Sequence, residues 1–483
     1  MDFHEYSLGN VNGIRLGLVS TMALTGFIGI IILPFYVYLF GTGIFWEFFG
    51  IIVSVLVIWN HRSYRLMRYA RKSESIVTLP SYFSRRFDDK KGVIRMLSSV
   101  EIITLSIIIS GLLLRETAII LNAMLGLDKG AFSLIFILIV SCYVGIFGFN
   151  SMVKTVYVKV TFFILVFLFI CLFIFTRQSI AELVRNMMRT DITGSVSEYL
   201  NVLFHNGKPL KINDYITLIS KGLLVSGMPF VLVSFFSAKD SKTITKGRNT
   251  SFVFLVLFFS ISMFTGAILR GFLFPEKITK SISGFMTLIY QKLNTNGTFG
   301  KIVSYLFVAL IIIAVMTVIE SFINTITVIV YEDIINRGNV VRVDQKHMRE
   351  TLIAISMMVG IAIFFTQQYT YDVKISGMVS FVTVLGCSIS PTVFLSLSWE
   401  RMNRAGCMAG LVFGLVAVPF FEYAPILSVD GARKTISEAL GISPILPAII
   451  ISCLVIILFS LLTKKPDEDI VDEFLEVRNR IVD

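Results

Sequence analysis

The sequence predicts an all-α membrane protein with about twelve transmembrane helices, on three observations. Apolar residues make up 55% of the 483 positions, 43 phenylalanines among them. Together with a mean hydropathy of +0.80, this excludes a soluble globular domain. Apolar runs of about 18 residues or more, the length a helix needs to cross a bilayer, recur along the whole chain. Lys and Arg gather in the loops between these runs, as orientation by positive charge requires. The net charge of +11 therefore reads as membrane topology and not as a nucleic-acid surface.

The spans fall at about 15–40, 44–60, 93–124, 130–149, 155–176, 214–236, 249–273, 300–331, 350–366, 372–398, 405–422 and 444–463. An even number places both termini on one side. The segment 61–92, rich in Arg62, Arg65, Arg68, Arg71, Lys72, Arg85 and Arg86, assigns that side to the cytoplasm. Residues 1–14 are polar and no cleavage site follows, so no signal peptide is expected. Residues 1–465 read as one transmembrane domain and 466–483 as a cytoplasmic amphipathic tail.

Two spans carry interruptions. Thr25, Gly26, Gly29 and Pro34 weaken span 1 in its middle, and Gly227-Met228-Pro229 does the same to span 6. Such breaks survive in a bilayer only where protein or a water-filled cavity covers the freed backbone groups, and transporters use them to hold ions and solute. On the cytoplasmic side, Thr78 reads as the N-cap of a short helix with Pro80 in its first turn. In the tail, Ile470, Phe474, Val477 and Ile481 share one helix face. It lies against the membrane or the protein's own surface, or it docks a protein partner.

Enzyme chemistry has no foothold. Cys142, Cys171, Cys387, Cys407 and Cys453 lack CxxC spacing, and His4, His61, His205 and His347 form no ligand cluster. No nucleophile–base pair, P-loop or dinucleotide fingerprint appears at usable spacing. No cofactor is expected beyond a coupling ion.

An ordered set of motifs resembles the sodium/solute symporter family, its sodium/proline symporters most. Thr78-Leu79-Pro80-Ser81-Tyr82-Phe83 with Arg86-Phe87 is similar to the family's TLPDYF…RF segment. Gly222 to Asp240 resembles its segment around span 6. Ala314-Val315-Met316-Thr317-Val318 with Tyr331-Glu332-Asp333 resembles AVMST…EDLY. Trp399 to Gly406, with Ala409, Gly410 and Gly414, resembles W.RMTR.GALAG…G. The resemblance implies two inverted five-helix repeats, about 13–176 and 214–398, followed by two further helices over about 405–463, with broken helices 1 and 6 paired. It also implies an integral protein of a bacterial cytoplasmic membrane. Glu5-Tyr6-Ser7-Leu8-Gly9-Asn10 resembles the loop after the family's leading helix, so that helix is expected to be missing.

In the family, backbone carbonyls and two hydroxyls hold a sodium ion. The resemblance carries the carbonyls to Ala23, Gly26 and Ala314, and the hydroxyls to Thr317 and Val318, one of which is a methyl here. The span 1 aspartate and the Ser-Gly after it align with Thr25 and Phe27-Ile28, and an aspartate of span 5 with Val156. Losing one ligand hydroxyl costs about 1–3 kcal/mol, so the sodium site is expected to be degraded. Lys159 in span 5 either puts its ammonium where sodium would sit, which opens coupling to protons, or snorkels to the cytoplasmic interface. Glu320 either restores a coupling carboxylate or pairs with Lys159 or Lys221. Glu101, Arg115, Glu116 and Arg270 are the other intramembrane charges, the last three expected at outer ends.

The solute pocket is expected among Thr25, Phe27, Gly29, Ser106, Ser110, Gly227, Met228 and Phe230. The function that follows is secondary active transport of a small organic solute, an amino acid or short carboxylate, by alternating access with sodium or a proton as coupling ion. The competing function is a transport-inactive relative serving as membrane sensor or as scaffold subunit of a larger complex.

Overall fold

The computed structural model describes residues 2–9, 11–73, 76–188, 196–276, 281–337, 345–369, 375–427 and 433–479. Among the described residues, eleven helices are long and apolar enough to cross a membrane, and a bent pair brings the number to as many as twelve. In order they are span 1 (Gly13–Phe40), span 2 (Thr42–Lys72), span 3 (Val93–Leu125), span 4 (Lys129–Phe147), span 5 (Asn150–Arg177), the broken span 6, span 7 (Ser241–Leu273), span 8 (Gly297–Ile335), span 9 (Gln345–Tyr369), span 10 (Val379–Ser398), span 11 (Arg404–Tyr423) and span 12 (Ile445–Leu462). Most of the extra length over the sequence reading is polar. Span 2 continues through Arg62–Lys72 where a loop was expected, and span 7 begins at Ser241, where Asp240 caps it by accepting the Thr243 N–H at 2.6 Å.

The interruptions differ in kind. Span 6 is two helices, Ile212–Val225 and Pro229–Ser237, bent by 49°. Pro229 donates no N–H and pushes the residue before it out of helical geometry. Met228 is accordingly extended (φ −72°, ψ 118°). Span 1 is not severed. Its backbone widens into a π-helical stretch over Thr25–Ile32, just ahead of Pro34, whose missing N–H removes one α-helical hydrogen bond.

Glycines let helices touch at backbone distance. A Cβ on Gly222 of span 6 would lie 2.1 Å from the Gly50 carbonyl of span 2, and one on Gly17 of span 1 would lie 2.3 Å from the Gly247 carbonyl of span 7. Span 3 opens from Gly92 in the left-handed region (φ 67°), with Asp89 accepting the Ile94 N–H at 2.6 Å and the Arg95 N–H at 3.1 Å. Thr78 caps Leu79–Arg86 as expected, accepting the Ser81 N–H at 3.0 Å.

The tail forms the helix Glu468–Asn479 and spends its apolar face on the chain itself. Phe474 and Val477 are buried; the Arg86 guanidinium stands 4.5 Å from the Phe474 ring centre. Glu473 pairs with Arg85 at 3.1 Å, Glu476 with Lys72, and Arg68 donates to the Val477 carbonyl at 2.8 Å. Ile481, expected on the same face, and Asn10 lie outside the described residues.

Candidate functional site

A cavity of about 430 Å3 runs into the bundle from the end opposite the termini. Its inner walls are apolar: Ala23, Phe27 and Ile28 of span 1, Met228 and Phe230 at the span 6 break, and Val318 and Phe322 of span 8. Its mouth is polar, with Tyr36, Glu47, Lys221, Ser380, Glu422 and Ser443. Lys221 donates to Glu47 at 2.6 Å, and Ser380 donates to Glu422 at 2.8 Å. Nearby, burial and the Lys221 ammonium hold His205 below its ordinary value, so the imidazole adds no charge to the mouth at neutral pH.

On the side of the termini the path is closed. Arg62, buried within span 2, donates to the Ser226 carbonyl at the span 6 break and to the Ser390 hydroxyl of span 10 at 3.3 Å. Arg86 donates to the Ser396 carbonyl at 3.0 Å. These guanidinium contacts satisfy carbonyls that the break in span 6 and the end of span 10 leave open.

The second feature is small and charged. A cleft of about 10 Å3 lies among Val19 and Met22 of span 1, Met152, Val156 and Lys159 of span 5, and Thr317 and Ser321 of span 8. Lys159 is 7% exposed and Glu320 is 0% exposed, and their charged atoms meet at 2.5 Å. Lys159 therefore does not reach the interface, and of the two lysines named for Glu320 it is the one that pairs. Thr317 turns its hydroxyl back onto the Ile313 carbonyl at 2.8 Å, and Ser321 donates to the Thr317 carbonyl at 2.9 Å. The Ala314 carbonyl faces Gly26 so closely that a Cβ there would lie 2.7 Å from its oxygen. The side-chain oxygens lining the cleft are thus the hydroxyls of Thr317 and Ser321, both engaged with their own helix, and the charged group among its lining residues is the Lys159 ammonium.

The remaining residues of the expected pocket lie elsewhere. Thr25 is buried and donates to its own helix, at 3.2 Å to the carbonyls of Thr21 and Met22. Gly29 faces the Phe258 ring of span 7, and Gly227 abuts the Gly386 backbone of span 10. Ser106 and Ser110 are buried on span 3, whereas Ile109 and Leu113 of the same helix line the cavity. Arg270, near the end of span 7, is fully buried, its guanidinium 4.2 Å from the Tyr199 ring centre and bonded to the Tyr38 carbonyl at 3.2 Å. Tyr199, the last residue of the short helix Val196–Tyr199, is itself buried and donates its hydroxyl to the Val37 carbonyl at 2.9 Å. Arg115 and Glu116 are likewise buried and pair at 2.6 Å. Glu47 and Glu422 were missed, although a carboxylate inside or closing an apolar run was the available signal.

A cavity between a broken helix 6 and a π-widened helix 1, open at one end and sealed by arginines at the other, is transporter architecture. The sequence profile of the Sodium:solute symporter family matches residues 8–414. The chain belongs to the sodium:solute symporter family. It is an integral membrane transporter by class and not an enzyme. Similar family members include the high-affinity proline transporter PutP of Bacillus subtilis, 23% identical over 446 residues that cover 90% of this chain and 88% of that one. A sodium/proline symporter of Staphylococcus aureus is 26% identical over 461 residues, covering 92% and 84% of the two chains. Among solved structures, a Na+-coupled sialic acid symporter in a substrate-bound outward-open state superposes with a TM-score of 0.69 at 14% identity, over 96% of this chain and 93% of that chain. This likeness supports the inverted-repeat fold.

Proposed function

We propose that this symporter-family chain carries a small organic solute by alternating access, with the Lys159–Glu320 pair standing in for the coupling sodium. The observation that carries the reading is the ammonium lining the cleft beside Thr317, next to a solute-sized cavity. A sodium ion entering there would meet the ammonium first, because Lys159 lines the cleft and the carboxylate that neutralises it, on Glu320, does not. A proton suits the pair better. As Lys159 ammonium and Glu320 carboxylate the pair is neutral. One further proton on the free Glu320 oxygen leaves an ammonium and a carboxylic acid, a net charge of +1, the same as a bound sodium. Its release to the other side resets the pair.

The arginine-rich ends beside the termini favour a cytoplasmic location for both termini, so the cavity faces outward across a bacterial cytoplasmic membrane. Its volume suits an amino acid or a short carboxylate, and relatives named as proline transporters favour the amino acid.

The test is uptake by purified protein in proteoliposomes. An inward proton gradient without sodium is expected to drive accumulation. Glu320→Gln should lose that dependence while solute-for-solute counterflow persists. Sodium-dependent uptake that survives Lys159→Met would overturn the surrogate, and absence of counterflow with any solute would favour the scaffold or sensor reading.

A further inference from the structure

The cavity mouth holds more negative charge than its described residues neutralise. Three ionisable groups of fixed sign line it, the carboxylates of Glu47 and Glu422 and the ammonium of Lys221. Lys221 is committed to Glu47 at 2.6 Å on the wall formed by spans 2 and 6. Glu422 stands on span 11, half-buried, and accepts one hydrogen bond, from Ser380. Its second oxygen is shut off from solvent and has no hydrogen-bond partner among the described residues. A carboxylate oxygen in that state lacks a charge-assisted donor. Beyond it the cavity is largely apolar, with Phe27, Met228, Phe230 and Phe322 around its inner part and Phe230 edge-on to Phe322 at 5.2 Å; the Thr383 hydroxyl is turned onto the Val379 carbonyl of its own helix.

We infer that the transported solute carries an ammonium group on an apolar body, the ammonium held by Glu422 and the body seated on the phenylalanine-lined floor. The inference rests on the transporter reading and narrows it. A simple carboxylate finds no free cation among the described lining residues, because Lys221 already has its counter-charge, and it would add a third negative group beside Glu47 and Glu422. A zwitterionic amino acid remains compatible, since its ammonium supplies the missing donor and its carboxylate has access to the Lys221 side of the mouth.

The test uses the full-length protein in detergent or nanodiscs and three probes with the same isobutyl body: 3-methylbutylamine, leucine and 4-methylpentanoate. Ligand that binds the folded state raises the thermal midpoint by mass action, so each midpoint is followed against probe concentration. The amine and leucine are expected to raise it and the carboxylate to leave it unchanged. Glu422→Gln should weaken both active probes by about tenfold, the loss of one charge-assisted hydrogen bond. Glu422→Asp should retain them and so separate lost charge from a damaged fold. Stabilisation by the carboxylate alone, no shift with any probe, amine binding unchanged in Glu422→Gln, or a Glu422-dependent shift with sodium chloride alone would each overturn the inference. Carboxylate binding accompanied by counterflow of that carboxylate would leave the transporter reading standing. Amine binding without counterflow of any bound probe would instead sink the transporter reading and leave the binding site.

Discussion

Glu320 has one carboxylate oxygen 2.5 Å from the Lys159 ammonium, while its other oxygen is buried with no hydrogen-bond partner among the described residues. The two charges are joined across spans 5 and 8, so neither residue can be changed without stranding the other.

Glu320→Gln or Lys159→Met alone is therefore expected to lower stability by about 3–5 kcal/mol, the cost of leaving an unpaired charge in the interior. The double change Lys159→Met with Glu320→Leu should recover most of it, because no charge remains to be stranded. Thermal unfolding of the three variants and the parent in one detergent measures the coupling.

Gly26→Ala tests the contact between spans 1 and 8. The added methyl would sit 2.7 Å from the Ala314 carbonyl oxygen, so one helix must move. A loss of about 1–3 kcal/mol, typical of overpacking, is expected together with slower counterflow. Unchanged stability and counterflow would show that the π-widened stretch gives way freely.

Asn403 ties spans 11 and 12 together. Its side chain accepts the Gly406 N–H at 3.0 Å and donates to the Thr463 hydroxyl and the Lys464 carbonyl, each at 2.7 Å. Asn403→Ala should cost about 2 kcal/mol, with faster hydrogen exchange confined to the start of span 11 and the end of span 12.

Arg85 and Glu473 hold the tail through a contact that can be rebuilt in reverse. Arg85→Glu or Glu473→Arg places like charges together and should release Glu468–Asn479 to protease, while the double exchange restores protection. Phe474→Ala should have the larger effect, about 1.5–3 kcal/mol of lost burial.

Much of the fold was legible because its signals are strong and local. Apolar length marked the spans, and Pro229 marked the break in span 6 because a missing N–H leaves the helix no alternative. The form of the span 1 interruption was not legible, since Gly26, Gly29 and Pro34 are as compatible with severed as with widened helix. The pocket was read unevenly for a different reason. Span 3 carries apolar residues on every side between Glu101 and Arg115, so nothing in its sequence tells whether Ser106 and Ser110 or Ile109 and Leu113 face the cavity. Charges were more informative: Lys159 and Glu320 stood out against apolar neighbours, and their pairing was one of two named in advance. Glu422 was easier to pass over, because it closes the apolar run of span 11, where a carboxylate reads as a helix end facing water.

The backbone contact between Gly50 and Gly222 bears on how the cavity mouth can move. Glu47 and Lys221 are each within one helical turn of that contact, on helices pressed together with no side chain between them to yield. The pair is thus fixed to a single rigid strut. Whatever rotation opens and shuts the mouth carries both charges along at constant separation, and the distance that changes is the one from this strut to Glu422 on the facing wall.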